Sequence, residues 1–81
     1  PWAPLTSREY EVARLIAAGQ TNPAIARTLG VAPRTVSAHV EHILAKLGAE
    51  RRAEIAAWTA TVEGAAISAA ATPDRAGPVP R

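Results

Sequence analysis

Residues 31–47 combine, on one predicted helix, an apolar side that can be buried and a polar side that can recognise a partner. The apolar side repeats at the i, i+4, i+7 spacing of a buried helical stripe. Its residues are Val36, Val40, Ile43, Leu44 and Leu47. The other side carries hydroxyl, carboxylate, imidazole and guanidinium groups beside small methyl groups. Its residues are Arg34, Ser37, Ala38, Glu41, His42 and Ala45. Such a surface can hydrogen-bond to a partner and approach it closely.

A short helix and a turn precede this stretch and must position it. Thr21 or Asn22 can cap the short helix, and Pro23 fits in its first turn. Gly30 can adopt the positive φ of a sharp turn, and Pro33 opens the longer helix. A short helix, a turn and a second helix are the order of a helix-turn-helix, whose second helix enters the major groove of DNA. DNA binding is the leading hypothesis, and a helical protein-interaction module is the alternative.

Two further helices are predicted on either side. Thr6-Ser7-Arg8-Glu9 has the form of a capping box, which predicts a first helix from Ser7 to about Ala18. A fourth helix is predicted from Arg51 or Arg52. The predicted organisation is an extended lead-in over residues 1–5, an all-α domain over 6–64, and an Ala-rich extension and disordered tail over 65–81.

Composition narrows the function classes. The chain of 81 residues contains no Cys and only two His, so neither a disulfide framework nor a metal or other cofactor is expected. No nucleophile lies beside an organised base and no phosphate-binding glycine loop occurs, so we do not expect an enzyme. No apolar run reaches about 18 residues and no signal peptide is visible, so we expect a cytoplasmic protein without a membrane span. The first residue is not Met, and we expect a C-terminal piece of a larger protein.

The net charge of +2 is small for a protein that binds a polyanion. We therefore expect the domain to need a second copy or a companion domain to add DNA contacts.

Four segments, residues 5–12, 18–26, 35–40 and 43–48, closely resemble the LuxR-type helix-turn-helix domain in order and spacing. The resemblance covers about Leu5 to Val62 and implies a four-helix DNA-binding domain of a bacterial transcription regulator. It also implies a homodimer on double-stranded DNA, contact with RNA polymerase, and an upstream regulatory domain that is absent from this chain. The related sigma-factor region 4 fold is an alternative, although the Val36–Val40 and Lys46–Gly48 patterns fit the LuxR type better.

The resemblance also implies roles for individual residues. The base-facing positions are Ser37, Ala38 and Glu41. The phosphate-contacting positions are Thr21, Arg27, Arg34, Thr35 and Lys46. Glu9 is expected to pair with Arg52 and so to connect the first and fourth helices. The fourth helix is expected to form the dimer interface through Ile55, Trp58, Thr59 and Val62.

The sequence departs from the family pattern at a few positions. Glu41 stands where many members carry a basic or amide side chain; its carboxylate can accept from cytosine N4 but is repelled by phosphates. Ala32 and Arg51 replace the usual Ser, Thr or Asp caps, and Ala24 replaces a Glu that would complete a second capping box.

Overall fold

The chain folds into helices, and a computed structural model describes the backbone of residues 3–71 and the side chains of residues 3–64. The elements are α1 (Ser7–Ala17), α2 (Asn22–Leu29), α3 (Pro33–Leu47) and α4 (Arg52–Ala71). No strand occurs within residues 3–71, so the predicted all-α, four-helix class is confirmed. The tail predicted from Thr72 lies outside the described residues, whereas the Ala-rich segment 65–71 continues α4.

The start of α1 is held by the predicted capping box. The Thr6 hydroxyl accepts from the Glu9 backbone N–H at 3.1 Å, and Glu9 Oε1 accepts from the Thr6 backbone N–H at 2.9 Å. Residues 3–5 form a turn and a bend, where an extended segment was expected, and place the buried Leu5 in the core. Because α1 contacts each of the other three helices, this cap fixes the start of the central element.

The turns around α2 follow the local sequence. Of the two candidate caps, Thr21 is the one used, accepting from the Ala24 backbone N–H at 3.3 Å. Gly30 has a φ of 71°, which costs glycine little and other residues more, and the chain turns there into α3. The α3 N-cap, Ala32, makes no side-chain cap hydrogen bond.

The core lies between α1, α2, α3 and the first half of α4. Its fully or nearly fully buried apolar residues are Leu5, Val12, Ala13, Ile16, Ile25, Ala26, Val36, Ile43 and Ile55. The predicted stripe of α3 is confirmed: Val36 and Ile43 are fully buried, and Val40, Leu44 and Leu47 pack against the same cluster. Burial of this stripe fixes which side of α3 faces outward.

The described part of α4 places two of the four predicted dimer-interface residues inside the chain. Ile55 and Thr59 are fully buried within the chain itself, where α4 packs against α1 and α3. The buried Thr59 hydroxyl has a hydrogen-bond partner, because it donates to the Ile55 carbonyl oxygen at 2.8 Å. Trp58 and Val62 are half-buried. Ile55 and Thr59 therefore belong to the core and present no surface to a second copy.

Within the described residues, no helix is both long and apolar enough to cross a bilayer.

Candidate nucleic-acid interface

The outward side of α3 presents three neighbouring side chains of different chemistry. Ser37, Ala38 and Glu41 are all exposed, and Ser37 and Glu41 are one helical turn apart. The surface therefore offers a hydroxyl, a methyl group and a carboxylate within one turn. These groups can donate to, pack against or accept from the edges of bases.

A hydrogen-bonded chain connects Ser37 to α4 through the start of α2. Arg52 Nη1 donates to Asn22 Oδ1 at 2.6 Å, and Arg52 Nη2 donates to the Gln20 carbonyl oxygen at 2.6 Å. The Asn22 amide then donates through Nδ2 to Ser37 Oγ at 3.4 Å. From the sequence, Asn22 is a candidate cap for α2 and nothing more. Its position on the chain between Thr21 and Pro23 carries no signal of a contact with residues 37 and 52, because both contacts depend on tertiary packing.

The expected pair between Glu9 and Arg52 does not form. Glu9 is instead bound by Lys46, whose Nζ lies 2.7 Å from Glu9 Oε1, and Arg52 is engaged by Asn22 and Gln20. Packing of α1 against α3 brings the end of α3, rather than the start of α4, to the Glu9 carboxylate. The pair therefore joins α1 to α3.

Glu9 is a buried carboxylate that is held in its charged form. Burial by itself would raise the pKa of Glu9, but the hydrogen bonds from Lys46 and from the Thr6 backbone N–H, with the positive charge of Lys46, lower that pKa below its ordinary value of 4.5. Only 7% of the Glu9 side chain is exposed, against 37% for Lys46. Lys46 therefore stabilises the end of α3 and keeps the carboxylate ionised.

The other residues expected at phosphates lie on the surface. Thr21, Arg27, Arg34 and Thr35 are all exposed. Within residues 3–64, Arg27 and Arg34 make no ion pair, so both guanidinium groups are available to a partner. The Thr21 hydroxyl already serves as the α2 cap, although its exposure leaves room for a further contact. Arg34 lies in the first turn of α3, next to Thr35 and close along the chain to Ser37.

Two further polar contacts join α1 to α4. Arg14 Nε lies 2.6 Å from Glu63 Oε2, and the Tyr10 hydroxyl donates to the same Glu63 oxygen at 3.2 Å. Arg14 and Glu63 border an open groove of about 510 Å³ whose lining also includes Leu15, Thr28 and Leu29. Within residues 3–64, no group of three or more His, Asp or Glu side chains is placed to hold a metal ion.

Comparison with known proteins identifies the family. Residues 3–59 match the family model described as bacterial regulatory proteins, luxR family. The chain is 44% identical over 54 residues to the nitrate/nitrite response regulator protein NarL of Escherichia coli, which covers 67% of this chain and 25% of that protein. It is 54% identical over 54 residues to the "Probable transcriptional regulatory protein NarL" of Mycobacterium tuberculosis, covering 65% of this chain and 25% of that protein.

A third relative is the oxygen regulatory protein NreC of Staphylococcus aureus, with 44% identity over 55 residues, 68% of this chain and 25% of that protein. The chain spans between 6% and 25% of the length of the curated relatives it matches here. The matched region contains the capping box, α2, the turn and the whole of α3. The chain belongs to the luxR family of bacterial regulatory proteins.

Proposed function

We propose that this chain binds double-stranded DNA in a sequence-specific way, with α3 in the major groove, as the DNA-binding part of a transcription regulator. The observation that carries the proposal is the outward side of α3, where Ser37, Ala38 and Glu41 are exposed opposite the buried Val36 and Ile43. Membership of the luxR family, whose relatives include transcription regulators, supports it. The major groove admits a helix presented in this way.

Phosphate contacts come from the exposed side chains around this face. We assign them to Thr21, Arg27, Arg34 and Thr35, of which the two arginines carry the charge. Lys46 was expected in the same group, but its ammonium already binds the buried Glu9. We assign Lys46 to holding α3 in place, because removing it would leave a buried carboxylate without its cation.

Dimerisation on DNA completes the proposal. A net charge of +2 gives one copy little electrostatic attraction to the duplex, and a second copy doubles the contacts. Because Ile55 and Thr59 are buried within the chain, we assign the α4 part of the dimer interface to Trp58 and Val62. We further propose that the complete protein carries an upstream regulatory domain, acts on RNA polymerase and works in the cytoplasm, where the bacterial chromosome lies.

Selection of bound duplexes from a random-sequence pool, read by sequencing, tests the proposal. We expect a palindromic consensus with half-sites separated by about one helical turn, or a multiple of it. Fluorescence anisotropy on the selected duplex and on a scrambled one then measures specificity. Absence of binding to any duplex at low salt and high micromolar protein would contradict the proposal and favour the protein-interaction module.

A further inference from the structure

We infer that Asn22 is a positioning residue that makes the Ser37 hydroxyl a hydrogen-bond donor toward DNA, so that Ser37 selects a base with an acceptor on its major-groove edge. The inference rests on the proposed function, in which Ser37 faces the bases. It adds the direction of the hydrogen bond between Ser37 and a base, and it names Asn22, outside α3, as the residue that sets this direction.

Arg52 fixes the orientation of the Asn22 amide. The oxygen and nitrogen of an asparagine amide are close in shape, so their assignment depends on their neighbours. A guanidinium has only donors, and Arg52 Nη1 lies 2.6 Å from Asn22 Oδ1. A rotated amide would place two donors against each other. The oxygen must therefore face Arg52, and the NH₂ group must face Ser37.

The NH₂ group in turn fixes the role of Ser37. An amide nitrogen can donate but not accept, so the 3.4 Å contact from Asn22 Nδ2 uses a lone pair of Ser37 Oγ. The Ser37 proton then points away from Asn22. With one of its two lone pairs used by Asn22 and its proton pointing away from Asn22, the hydroxyl is oriented to donate to a further partner.

Three threonine hydroxyls in the described helices already use their protons within the helix, whereas Ser37 does not. Thr28, Thr59 and Thr61 each donate back to the carbonyl oxygen four residues earlier, at 3.0, 2.8 and 3.1 Å. Ser37 makes no such bond within the described residues, although it too lies inside a helix. Its proton is therefore available to a partner, and the side chain is exposed to one.

The consequence is a defined pattern of base preference. Guanine and thymine present acceptors in the major groove, and adenine presents an acceptor at N7 beside its N6 amino donor, whereas cytosine presents only its N4 donor. As a donor, Ser37 should favour guanine, thymine or adenine over cytosine at the position it faces. Glu41, one turn further along α3, carries an acceptor-only carboxylate and should favour a base with an amino group. The two side chains thus read opposite hydrogen-bonding groups at neighbouring positions.

The test uses Asn22→Asp, which keeps the shape and the acceptor facing Arg52 but removes the NH₂ donor. The Ser37 proton would then turn toward the new carboxylate, and Ser37 would face DNA as an acceptor. The position read by Ser37 is first located as the one whose base preference disappears in Ser37→Ala. Anisotropy titrations of the 81-residue chain then use the four duplexes that differ at that position. We expect wild type to prefer guanine or thymine over cytosine by about tenfold, and Asn22→Asp to prefer cytosine over guanine and thymine.

Ala24→Glu is the matched control, because it adds the same charge in the first turn of α2 without touching Ser37. It should weaken binding to all four duplexes and leave their order unchanged. Thermal unfolding checks that each variant is folded. If Asn22→Asp does not fold, Asn22→Ala takes its place and should reduce the preference toward that of Ser37→Ala.

Failure of this inference and failure of the proposed function look different. If wild type binds no duplex, the proposed function is wrong and the inference falls with it. If wild type discriminates but a folded Asn22→Asp or Asn22→Ala keeps the same order and size of preference, the inference alone is wrong. Reversal in Asn22→Asp without reversal in Ala24→Glu supports it.

Discussion

At the scale of single residues, the Glu9–Lys46 pair ties the pH dependence of folding to the end of α3. The carboxylate is buried and lies at the α1 capping box, so the same oxygen accepts from the Thr6 backbone and from Lys46. A group whose pKa is lower in the folded state than in the unfolded state stabilises the fold when ionised. The contribution is complete above the unfolded pKa and is lost as the pH falls through the folded pKa.

Glu9→Gln should remove this part of the pH dependence. Gln can keep the capping box but not the charge attraction to Lys46, so the free energy of unfolding at neutral pH should fall by about 1 kcal/mol; the partial exposure of Lys46 keeps the loss small. The wild-type free energy of unfolding should drop as the pH falls through and below 4.5, and the variant's should drop less. Urea denaturation across this range measures both. Glu50→Gln is the control, because Glu50 is exposed and makes no ion pair in the described chain. If the free energy of unfolding of Glu9→Gln changed with pH in parallel with that of wild type, the assignment to Glu9 would be wrong.

Arg34→Ala should weaken binding to every duplex by a similar factor. The guanidinium is exposed and unpaired within the described residues, so we expect it to contact phosphate, which carries no sequence information. The slope of log affinity against log salt should decrease by about one. Arg8→Ala removes an equal charge from α1, where Arg8 pairs with Glu11 at the surface, and should leave the slope near wild type. An unchanged slope in Arg34→Ala would exclude the phosphate contact.

At the scale of elements, the helix boundaries depend on local chemistry, and this made them predictable. Thr6 with Glu9, Gly30 and Pro33 act on their own neighbours in the chain, so their effects can be read without knowing the fold. α1 ends at Ala17, one residue before the predicted end, and α4 begins at Arg52, one of the two predicted starts.

The contacts between elements could not be predicted in the same way. Lys46 and Arg52 are both long cations, and only the packing of α1 on α3 decides which of them reaches Glu9. Likewise, the spacing of Ile55, Thr59 and Val62 indicates a buried helix face but does not say whether the same chain or a second copy covers it. The structure covers Ile55 and Thr59 with its own α1 and α3.

Ala32→Ser should strengthen the start of α3. Ala32 already has the extended backbone of an N-cap, with φ −74° and ψ 148°, but offers no side-chain acceptor. A serine hydroxyl there should raise the free energy of unfolding by about 1 kcal/mol. Urea denaturation measures the change, and Thr6→Ala, which removes the α1 cap, should shift the midpoint in the opposite direction. A midpoint no higher than wild type would show that the α3 start gains nothing from a cap.

At the scale of the whole molecule, dimerisation is expected to depend on what α4 leaves uncovered. Trp58 packs against the apolar cluster, whereas Val62 is half-buried but does not belong to that cluster. Val62 is therefore the better site at which to disturb contact between copies without disturbing the core.

Val62→Glu should reduce cooperative binding to a duplex with two half-sites by about tenfold, while binding to one half-site stays close to wild type. A charge at the interface would be buried on dimerisation, which is unfavourable. Anisotropy on both duplexes and sedimentation of the complexes measure the effect. Ala17→Glu, at an exposed position on α1, is the matched control for added negative charge. Equal losses in both variants would place the dimer contact elsewhere.

The packing of α1 against α4 also gives the molecule an optical signal of its own. The rings of Tyr10 and Trp58 meet edge to face, with centroids 6.2 Å apart and planes at 82°. Excitation of Tyr10 should transfer to Trp58 in the folded chain, and their fixed geometry should give a near-ultraviolet circular dichroism band that unfolding abolishes. The sequence contains two Trp and one Tyr, so Trp2→Phe would leave Trp58 as the only indole emitter. Each unfolding measurement above can then follow this pair without an attached dye.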